Sequence, residues 1–461
     1  MRRRFARRGV HGRAPVPEPR PVELRIAADL FARVRGHVED TRRGEEAGFL
    51  LCGLGRSPDH DLLVVREWIP IPDDAITSRG TGPMLAWSAD FNARMLVRAD
   101  ELHAALVLVH AHPGRRAPVP SLDDTRYASQ LFTIASRMLP GRPSGAIILG
   151  DGAATGAFWQ DGRRVGALRR VRVVGVPLRN WLPQPDDAID RARPRLNRQT
   201  LAIGPRSDAL LARAAVAVIG VCGGGSHVCQ QLAHQGLGRL VVIDGDHVEE
   251  SNLSRMVGAT SKDLGALKTT VMRRMITAID RSIAVQEIPK RFPCEDAIAA
   301  LKSVDVIVAC VDSFAAREQI NLFCRRYLVP LVDIGMAIVT NGEQLVHARG
   351  QLVVVTPDSA CLRCGPLLSD AALAAEQIER PRGYDRNPNA PGAPQVVSMN
   401  GTLASEAANA VLDLITGYAG GVRGSGWWTY DGRRGDLTPF ASLAVRDGCP
   451  ACAEQAHGDG K

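Results

Sequence analysis

Two histidines and a carboxylate in the first half of the chain have the spacing of a metal site. His110 and His112 end the apolar stretch "LVLVHAH", so a β-strand would place both imidazoles on one face. Asp124 follows in "PSLDD", where Ser121 precedes it by three residues, as in a helix capping box. This ligand set leaves a fourth zinc position open, as in catalytic sites. The adjacent Asp123 is an alternative ligand.

A second group of residues has the types needed to bind a nucleotide. In "VAVIGVCGGGSH" an apolar strand runs through glycines into a helix, which favours phosphate binding by backbone N–H groups. Asp244 and Asp246 end the next strand, where an acidic residue can hold a ribose. Arg255, Lys268 and Asp312 follow, and this set is better suited to a triphosphate with Mg²⁺ than to a dinucleotide.

Four cysteines near the end of the chain form two C-x-x-C pairs, in "CLRCGP" and "DGCPAC". Each pair can present two thiolates to one ion, and two pairs complete a closed tetrahedral site. We therefore predict a structural zinc ion bound by Cys361, Cys364, Cys449 and Cys452.

The elements that must position these groups differ between the two halves. Short strands and helical patches alternate up to about residue 170, whereas "AVAVIGV", "RLVVIDGD", "SVDVIVACVD" and "VPLVDIG" indicate a βαβ series after residue 191. We predict an α/β protein with a mixed first domain and a doubly wound, mainly parallel sheet in the second. The predicted segments are a disordered basic tail (1–20), a first domain (21–170), a linker (171–190) and a second domain (191–461).

Composition bears on partners and compartment. The 461 residues include 45% hydrophobic and 23% charged residues, as in ordinary globular proteins. The net charge of +8 is concentrated in the Arg-rich start "MRRRFARRGVHGR", so nucleic acid is not the expected partner. No apolar run is long enough to cross a bilayer. C-x-x-C pairs favour metal in a reducing compartment, and we expect a cytoplasmic protein without a membrane partner.

The first half resembles the JAB/MPN (JAMM) metalloprotease family through His-x-His-Pro, Ser-x-x-Asp and the upstream "EEAGFLLCG". The resemblance implies a cytidine-deaminase-like mixed α/β fold that cleaves peptide or isopeptide bonds at the C-terminus of ubiquitin-like proteins. It implies Glu46 as the general base, with Glu45 as the competing choice, and Ser121 as a polar group near the oxyanion. His110, His112 and Asp124 would be the ligands of the catalytic zinc ion.

The second half resembles the ThiF/MoeB-type adenylyltransferases of the ubiquitin-activating superfamily, whose glycine loop differs here by Cys222 at one glycine position. The resemblance implies ATP- and Mg²⁺-dependent adenylation of the C-terminal glycine of a ubiquitin-like or sulfur-carrier protein. It also implies a homodimer, in which Arg198 enters the neighbouring ATP site. ATP and its metal would be bound by Gly220, Gly223, Gly225, Ser226, Asp246, Asn252, Arg255, Lys268 and Asp312, of which Asp312 is also catalytic.

Three functions remain open on the sequence. The first is a bifunctional enzyme that hydrolyses a bond at the C-terminus of a ubiquitin-like protein and adenylates such a C-terminus, in a pathway that could include a conjugating enzyme. The second is a sulfur-carrier pathway, in which the zinc domain releases a small sulfur-bearing product. The third is a non-catalytic scaffold. The region after Cys364, where many superfamily members carry a nucleophilic cysteine, has none before Cys449, so thiolate relay is not expected.

Overall fold

The computed structural model describes residues 20–40, 42, 44–79, 85–184, 193–379, 394–421, 424–440 and 443–460. We call residues 20–184 the first unit and residues 193–460 the second unit. The first unit contains β1 (Val22–Ala27), α1 (Ala28–Val38), β2 (Ala47–Arg56), β3 (Asp61–Pro70), β4 (Ile76–Arg79), β5 (Leu85–Trp87), α2 (Ala89–Glu101), β6 (Ala105–Ala111), α3 (Leu122–Met138), β7 (Ser144–Leu149), β8 (Ala154–Gln160), β9 (Arg163–Val174) and β10 (Arg179–Trp181).

The second unit alternates helices and strands as far as β15 and ends in antiparallel strands and helices. Its elements are α4 (Asn197–Ile203), α5 (Pro205–Arg213), β11 (Ala215–Ile219), α6 (Gly223–His234), β12 (Arg239–Ile243), α7 (Lys268–Ile279), β13 (Ala284–Ile288), α8 (Glu295–Leu301), β14 (Val306–Ala309), α9 (Phe314–Tyr327), β15 (Leu331–Asn341), β16 (Gln344–Val355), α10 (Asp370–Glu379), α11 (Val397–Thr416), β17 (Gly426–Asp431), β18 (Asp436–Pro439) and α12 (Pro450–Ala453). Short 3-10 helices span Asp73–Ala75, Pro194–Leu196, Glu250–Asn252 and Ser261–Asp263.

The sheet of the first unit has the strand order β1-β3-β2-β6-β7-β8-β9-β10. Because β1 also pairs with β9, the strands from β1 to β9 close on themselves. The β1–β3, β1–β9 and β6–β7 pairs are parallel, whereas β2 is antiparallel to both β3 and β6. This mixed sheet agrees with the mixed α/β class predicted for the first domain.

Helices cover both faces of this sheet, and strand alternation divides the apolar side chains between the two faces. On one face Leu50 and Val107 pack with residues of α1. On the other face Phe49 and Leu106 pack with residues of α2 and α3. The side chains of β2 and β6 therefore point alternately toward α1 and toward α2 and α3.

The sheet of the second unit has the order β13-β12-β11-β14-β15-β16-β17-β18. The strands from β13 to β15 are parallel, and those from β15 to β18 are antiparallel. The parallel part reverses its order at β11, between β12 and β14, which is where ligands of open α/β sheets bind. The predicted Rossmann-like, mainly parallel sheet thus has an antiparallel extension of three strands.

The two units share a hydrophobic core. Leu62, Val174 and Leu178 of the first unit belong to the same buried cluster as Leu301 and Tyr327 of the second. The chain also returns to the first unit near its end. The last described residues form a short parallel bridge with β2, through Leu54 and Gly458.

Buried charges cross the same junction. Arg25, which is fully buried, donates to the backbone carbonyls of Tyr327 at 3.1 Å and Lys302 at 2.6 Å. Its Nε also pairs with Glu23 Oε1 at 2.8 Å. Burial alone would raise the pKa of Glu23, but the charges of Arg172 and other arginines hold that pKa well below its usual value. These groups remain ionised because they neutralise one another.

Three predictions about segments need comment. Residues 171–181, assigned to a linker on the sequence, form the end of β9 and the strand β10, so the first sheet extends to Trp181. Residues 185–192, and residues 1–19 of the tail predicted for 1–20, lie outside the described residues, whereas Arg20 is described and pairs with Asp61 at 3.1 Å. No helix in the described ranges has both the length and the apolar character needed to cross a membrane.

Replacing Arg25 by Ala should destabilise the whole chain. The change leaves two carbonyls and part of the charge of Glu23 without a partner in a buried junction, which costs about 3 kcal/mol in comparable sites. Denaturant unfolding measures the effect, with the exposed Arg33→Ala on α1 as control. Equal free energies of unfolding for the two variants would contradict a structural role of Arg25.

Candidate functional site

The register of β2 against β6 brings Glu45 beside the two histidines. Ala47 pairs with His110 in this antiparallel ladder. Continued by two residues, the register sets Glu45 opposite His112, and residues opposite each other share a face of the sheet. Glu45 Oε1 lies 4.0 Å from His110 Nε2. Glu46, one residue later, points to the opposite face.

The capping box of α3 fixes the third group. Ser121 Oγ accepts from the backbone N–H of Asp124 at 3.0 Å, and Asp124 Oδ2 accepts from the N–H of Ser121 at 2.7 Å. The same carboxylate lies 3.2 Å from His110 Nε2 and 3.5 Å from His112 Nε2. Asp123 is exposed on the first turn of α3 and is not part of this group. Of the two candidates, Asp124 is therefore the one beside the histidines.

These side chains form a set of donors that fits a zinc ion. One ligand atom from each of Glu45, His110, His112 and Asp124 lies within 4.8 Å of the others. His110 Nε2 and Glu45 Oε2 are buried and make no hydrogen bond within the described part of the chain. The His112 imidazole also forms a hydrogen bond with the Val119 backbone, which orients the ring, as such hydrogen bonds do for histidines that bind zinc.

Two predicted residues have other surroundings. The Glu46 side chain is 1% exposed, and its Oε2 lies 3.7 Å from Nε2 of His37 on α1. Glu46 therefore lies outside the donor group, and Glu45, the competing choice, lies within it. The Ser121 hydroxyl is engaged in capping α3, and its main contact is with Asp124. The two-residue period of the strand would have indicated Glu45, had the register of β2 and β6 been known.

The four cysteines of the two C-x-x-C pairs lie close together, as predicted from their spacing. Their Sγ atoms lie within 4.8 Å of one another, and four of the pairwise Sγ–Sγ distances range from 3.6 to 3.8 Å. A regular tetrahedron with Zn–S bonds of about 2.3 Å has sulfur–sulfur edges of about 3.8 Å. Cys361, Cys364, Cys449 and Cys452 thus have the separations that a structural zinc ion requires.

The glycine loop joins β11 to α6, and two of its glycines are sterically required. Gly220 has φ +84°, and a Cβ there would lie 2.6 Å from the carbonyl oxygen of Cys310. A Cβ on Gly225 would lie 1.9 Å from the Gly220 carbonyl oxygen. Gly223 faces Asn400 and Arg255, so a Cβ there would lie 2.8 Å from the amide nitrogen of Asn400. The N-terminus of α6 is therefore held tightly against the end of β11, with its first N–H groups at the sheet edge.

Charged side chains surround the sheet edge at the end of β11. Asp244, at the end of β12, accepts hydrogen bonds from the N–H groups of Val221 and Asp246 at 2.9 Å each, and supports the loop. Asp246 pairs with Lys268 at 3.2 Å and with Arg291 at 2.9 Å. Burial would raise the pKa of Asp246, but these two cations hold it below the usual value. The sequence did not indicate Arg291, which follows β13.

Ser226 and Asn252, both predicted to bind ATP, are buried and bonded internally. Ser226 Oγ accepts from the N–H of Val257 at 3.0 Å and ties that segment to the glycine loop. Asn252 Oδ1 accepts from the N–H of Glu249 at 3.2 Å and caps a 3-10 turn. Their side chains stabilise the walls of the edge. Arg255 lies nearer to the loop, with Cδ 3.7 Å from the position of a Cβ on Gly223.

Asp312 follows β14 and is exposed at the same sheet edge. Its charge acts on Arg291, whose pKa is raised chiefly by the hydrogen bond to Asp246. The next helix, α9, receives Glu376 of α10 at its N-terminus, where the carboxylate accepts from the N–H groups of Phe314 at 3.0 Å and Ala315 at 2.8 Å. Sequence reasoning did not find this contact.

Burial disfavours the thiolate form of several other cysteines in the second unit. Cys222 is the N-cap residue of α6, and burial raises its pKa although Lys268 and Arg255 act in the opposite direction. Burial also raises the pKa of Cys229 to about 12 and that of Cys324 further. Arg198, predicted to reach a neighbouring protomer, is exposed on α4.

Asp124→Ala should lower the zinc content of the chain from two ions to one. The variant keeps the cysteine site but removes a carboxylate that approaches both histidines. Elemental analysis after dialysis measures the ratio, with the exposed Asp123→Ala as the matched control. Loss of zinc in the control, and not in Asp124→Ala, would identify Asp123 as the ligand.

A model described as the ThiF family matches residues 196–451, more than half of the chain. The "Sulfur carrier protein ThiS adenylyltransferase" of Escherichia coli (strain K12) is 31% identical over 241 residues, which cover 51% of this chain and 85% of that protein. The "SAMP-activating enzyme E1" of Haloferax volcanii is 30% identical over 162 residues, 35% of this chain and 57% of that protein. The "Molybdopterin-synthase adenylyltransferase" of E. coli is 31% identical over 179 residues, 38% of this chain and 68% of that protein.

The family match begins at residue 196 and does not include the sheet of the first unit. The kinship of the first unit with the JAB/MPN family therefore stays a prediction. The glycine loop, the charged sheet edge and the four cysteines all lie within the matched residues. By this match and by its similarity to the E. coli relative, the chain belongs to the ThiF family.

Proposed function

We propose that the second unit adenylates the C-terminal carboxylate of a small carrier protein. The observation that carries this proposal is the convergence of the glycine loop, Lys268 and Asp246 at the carboxyl edge of the sheet. The three relatives reported above are all named as adenylyltransferases or activating enzymes. Family membership and edge chemistry thus support the same reaction class.

The residues at this edge of the sheet are proposed to bind different parts of ATP and its Mg²⁺ ion. N–H groups at the start of α6 and the cations Arg255 and Lys268 bind phosphates, which places positive charge where the transition state gains negative charge. Burial would lower the pKa of Lys268, but the nearby Asp244 and other acids raise it, so its ammonium stays charged. Asp246 binds the ribose, and Asp312 binds Mg²⁺.

The reaction is then a displacement at phosphorus. An oxygen of the carrier's terminal carboxylate attacks the α-phosphorus of ATP, the bond to the β-phosphate oxygen breaks, and pyrophosphate leaves. The Cys229 and Cys324 thiols are buried and protonated, and no cysteine lies between Cys364 and Cys449. We therefore propose that the adenylate is passed to a nucleophile on another protein.

The carrier is proposed to be a sulfur carrier ending in glycine. The similarity to the sulfur carrier protein ThiS adenylyltransferase of E. coli favours this carrier over protein conjugation. The "SAMP-activating enzyme E1" keeps a ubiquitin-like modifier as the second candidate. A homodimer that uses Arg198 across the interface belongs to the same proposal.

The first unit is proposed to be a zinc hydrolase acting on the C-terminus of the same carrier. Zinc, when bound, supplies Lewis-acid polarisation of the scissile carbonyl. His110, His112 and Asp124 would hold the ion, and Glu45 would accept the proton of the attacking water. Burial raises the pKa of Glu45, which suits a general base. In the sulfur-carrier reading, the cleaved bond releases a small sulfur-bearing product.

Lys268→Ala should reduce carrier-dependent exchange of pyrophosphate into ATP by at least about a hundredfold, because a buried charge at the phosphates is lost. Labelled pyrophosphate and small proteins ending in Gly-Gly provide the assay. The exposed Lys262→Ala should retain full exchange. Absence of exchange by the unaltered chain with every such carrier would support the scaffold reading instead.

Glu45→Gln should abolish cleavage of a C-terminally extended carrier while pyrophosphate exchange continues. The amide cannot accept the proton of water, and the adenylation site is on the other unit. Glu46→Gln is the neighbouring control and should retain cleavage. Mass spectrometry of the carrier identifies the released group, and retained cleavage by Glu45→Gln would exclude this residue as the base.

A further inference from the structure

Three polar and aromatic side chains connect the walls of the zinc site from outside it. Trp87 Nε1 donates to Asn92 Oδ1 at 2.8 Å, and Asn92 Nδ2 donates to the Tyr127 hydroxyl at 3.3 Å. The Trp87 and Tyr127 rings meet edge to face, with centroids 5.0 Å apart. Trp87 also contacts Phe49 of β2, at 6.3 Å between centroids. We call Trp87, Asn92 and Tyr127 the bridge.

Each end of the bridge lies next to a group of the zinc site. Tyr127 follows Asp124 by three residues on α3, which is nearly one helical turn. Trp87 lies on β5, and Leu85 at the start of that strand donates its N–H to the Glu45 carboxylate. The bridge therefore joins α3, which carries Asp124, to β5, whose Leu85 is hydrogen-bonded to Glu45.

Asn92 is the only member of the bridge that touches both ends through hydrogen bonds. It lies on the first turn of α2, an element that supplies none of the four donors. Its amide accepts at Oδ1 and donates at Nδ2, so one planar group fixes the spacing between β5 and α3. The Trp87–Asn92 hydrogen bond is partly buried, where competition from water is weaker, whereas the Asn92–Tyr127 hydrogen bond is exposed.

We propose that Asn92 is a positioning residue of the zinc site, which sets the separation of Glu45 and Asp124. The space between these carboxylates is where an ion and the attacking water must both fit. The proposal rests on the zinc hydrolase function proposed for the first unit. Loss of the bridge should lower zinc affinity and the rate of the chemical step, and leave substrate affinity unchanged.

The test measures binding of Zn²⁺ itself against a competing chelator dye, with the cysteine site already filled. Asn92→Ala removes both hydrogen bonds and should weaken binding at the histidine site by about tenfold, as the loss of hydrogen bonds that support metal ligands does. Asn92→Asp should restore most of the affinity, because its carboxylate accepts from the Trp87 indole and the Tyr127 hydroxyl. Tyr127→Phe keeps the ring and should show an intermediate loss.

Val97→Ala, an exposed site on the same helix, is the matched control and should bind zinc as the unaltered chain does. Where a cleavable carrier is available, Asn92→Ala should lower kcat and leave KM unchanged. Equal zinc affinity of Asn92→Ala and Val97→Ala would overturn the positioning role. Failure of the unaltered chain to bind a second zinc ion would instead overturn the hydrolase function on which it rests.

Discussion

The arrangement of the molecule depends on guanidinium groups buried between its two units. Arg25 and Arg172 are buried, so their charges must be neutralised by protein groups. The first unit supplies Glu23, and the second supplies Asp305 and backbone carbonyls, including that of Val304 to Arg172 at 3.1 Å. Neither unit satisfies these groups alone. The units are therefore parts of one folded body, which the shared apolar core reinforces.

The histidine site and the nucleotide edge both lie where a strand ends and a helix begins. At the zinc site the turn after β6 leads to α3, and the helix start supplies both the cap and the carboxylate. At the nucleotide edge the loop after β11 leads to α6, and close packing leaves room only for glycine at Gly220 and Gly225. In both places the backbone positions the chemistry, and a few side chains beyond it orient the reactive groups.

Much of this could be predicted from the sequence, because local spacing determines which ligands share a face. The His-x-His pair and Asp124 lie together at one site, and the two cysteine pairs lie together at another, as their spacing predicts. The choice between Glu45 and Glu46 could not be made in this way, because it depends on the register of two strands far apart in the chain. Ser226 and Asn252 have side chains of the types that could bind ATP, but both are buried and accept hydrogen bonds from backbone N–H groups. The strand β10 was missed because its three residues carry little apolar signal.

The pairing of β2 with the last described residues has a consequence for how the proposed carrier would move between the two candidate sites. Asp459 accepts from the N–H of Arg56 at 3.2 Å and from the Lys302 ammonium at 2.6 Å. The segment after Cys452 therefore contacts both units. Within the described part of the chain, these contacts tie the end of the second unit to β2 of the first. Under the function proposed above, a carrier that visits both sites would move its own flexible tail, or dissociate and rebind, because these contacts connect the two units.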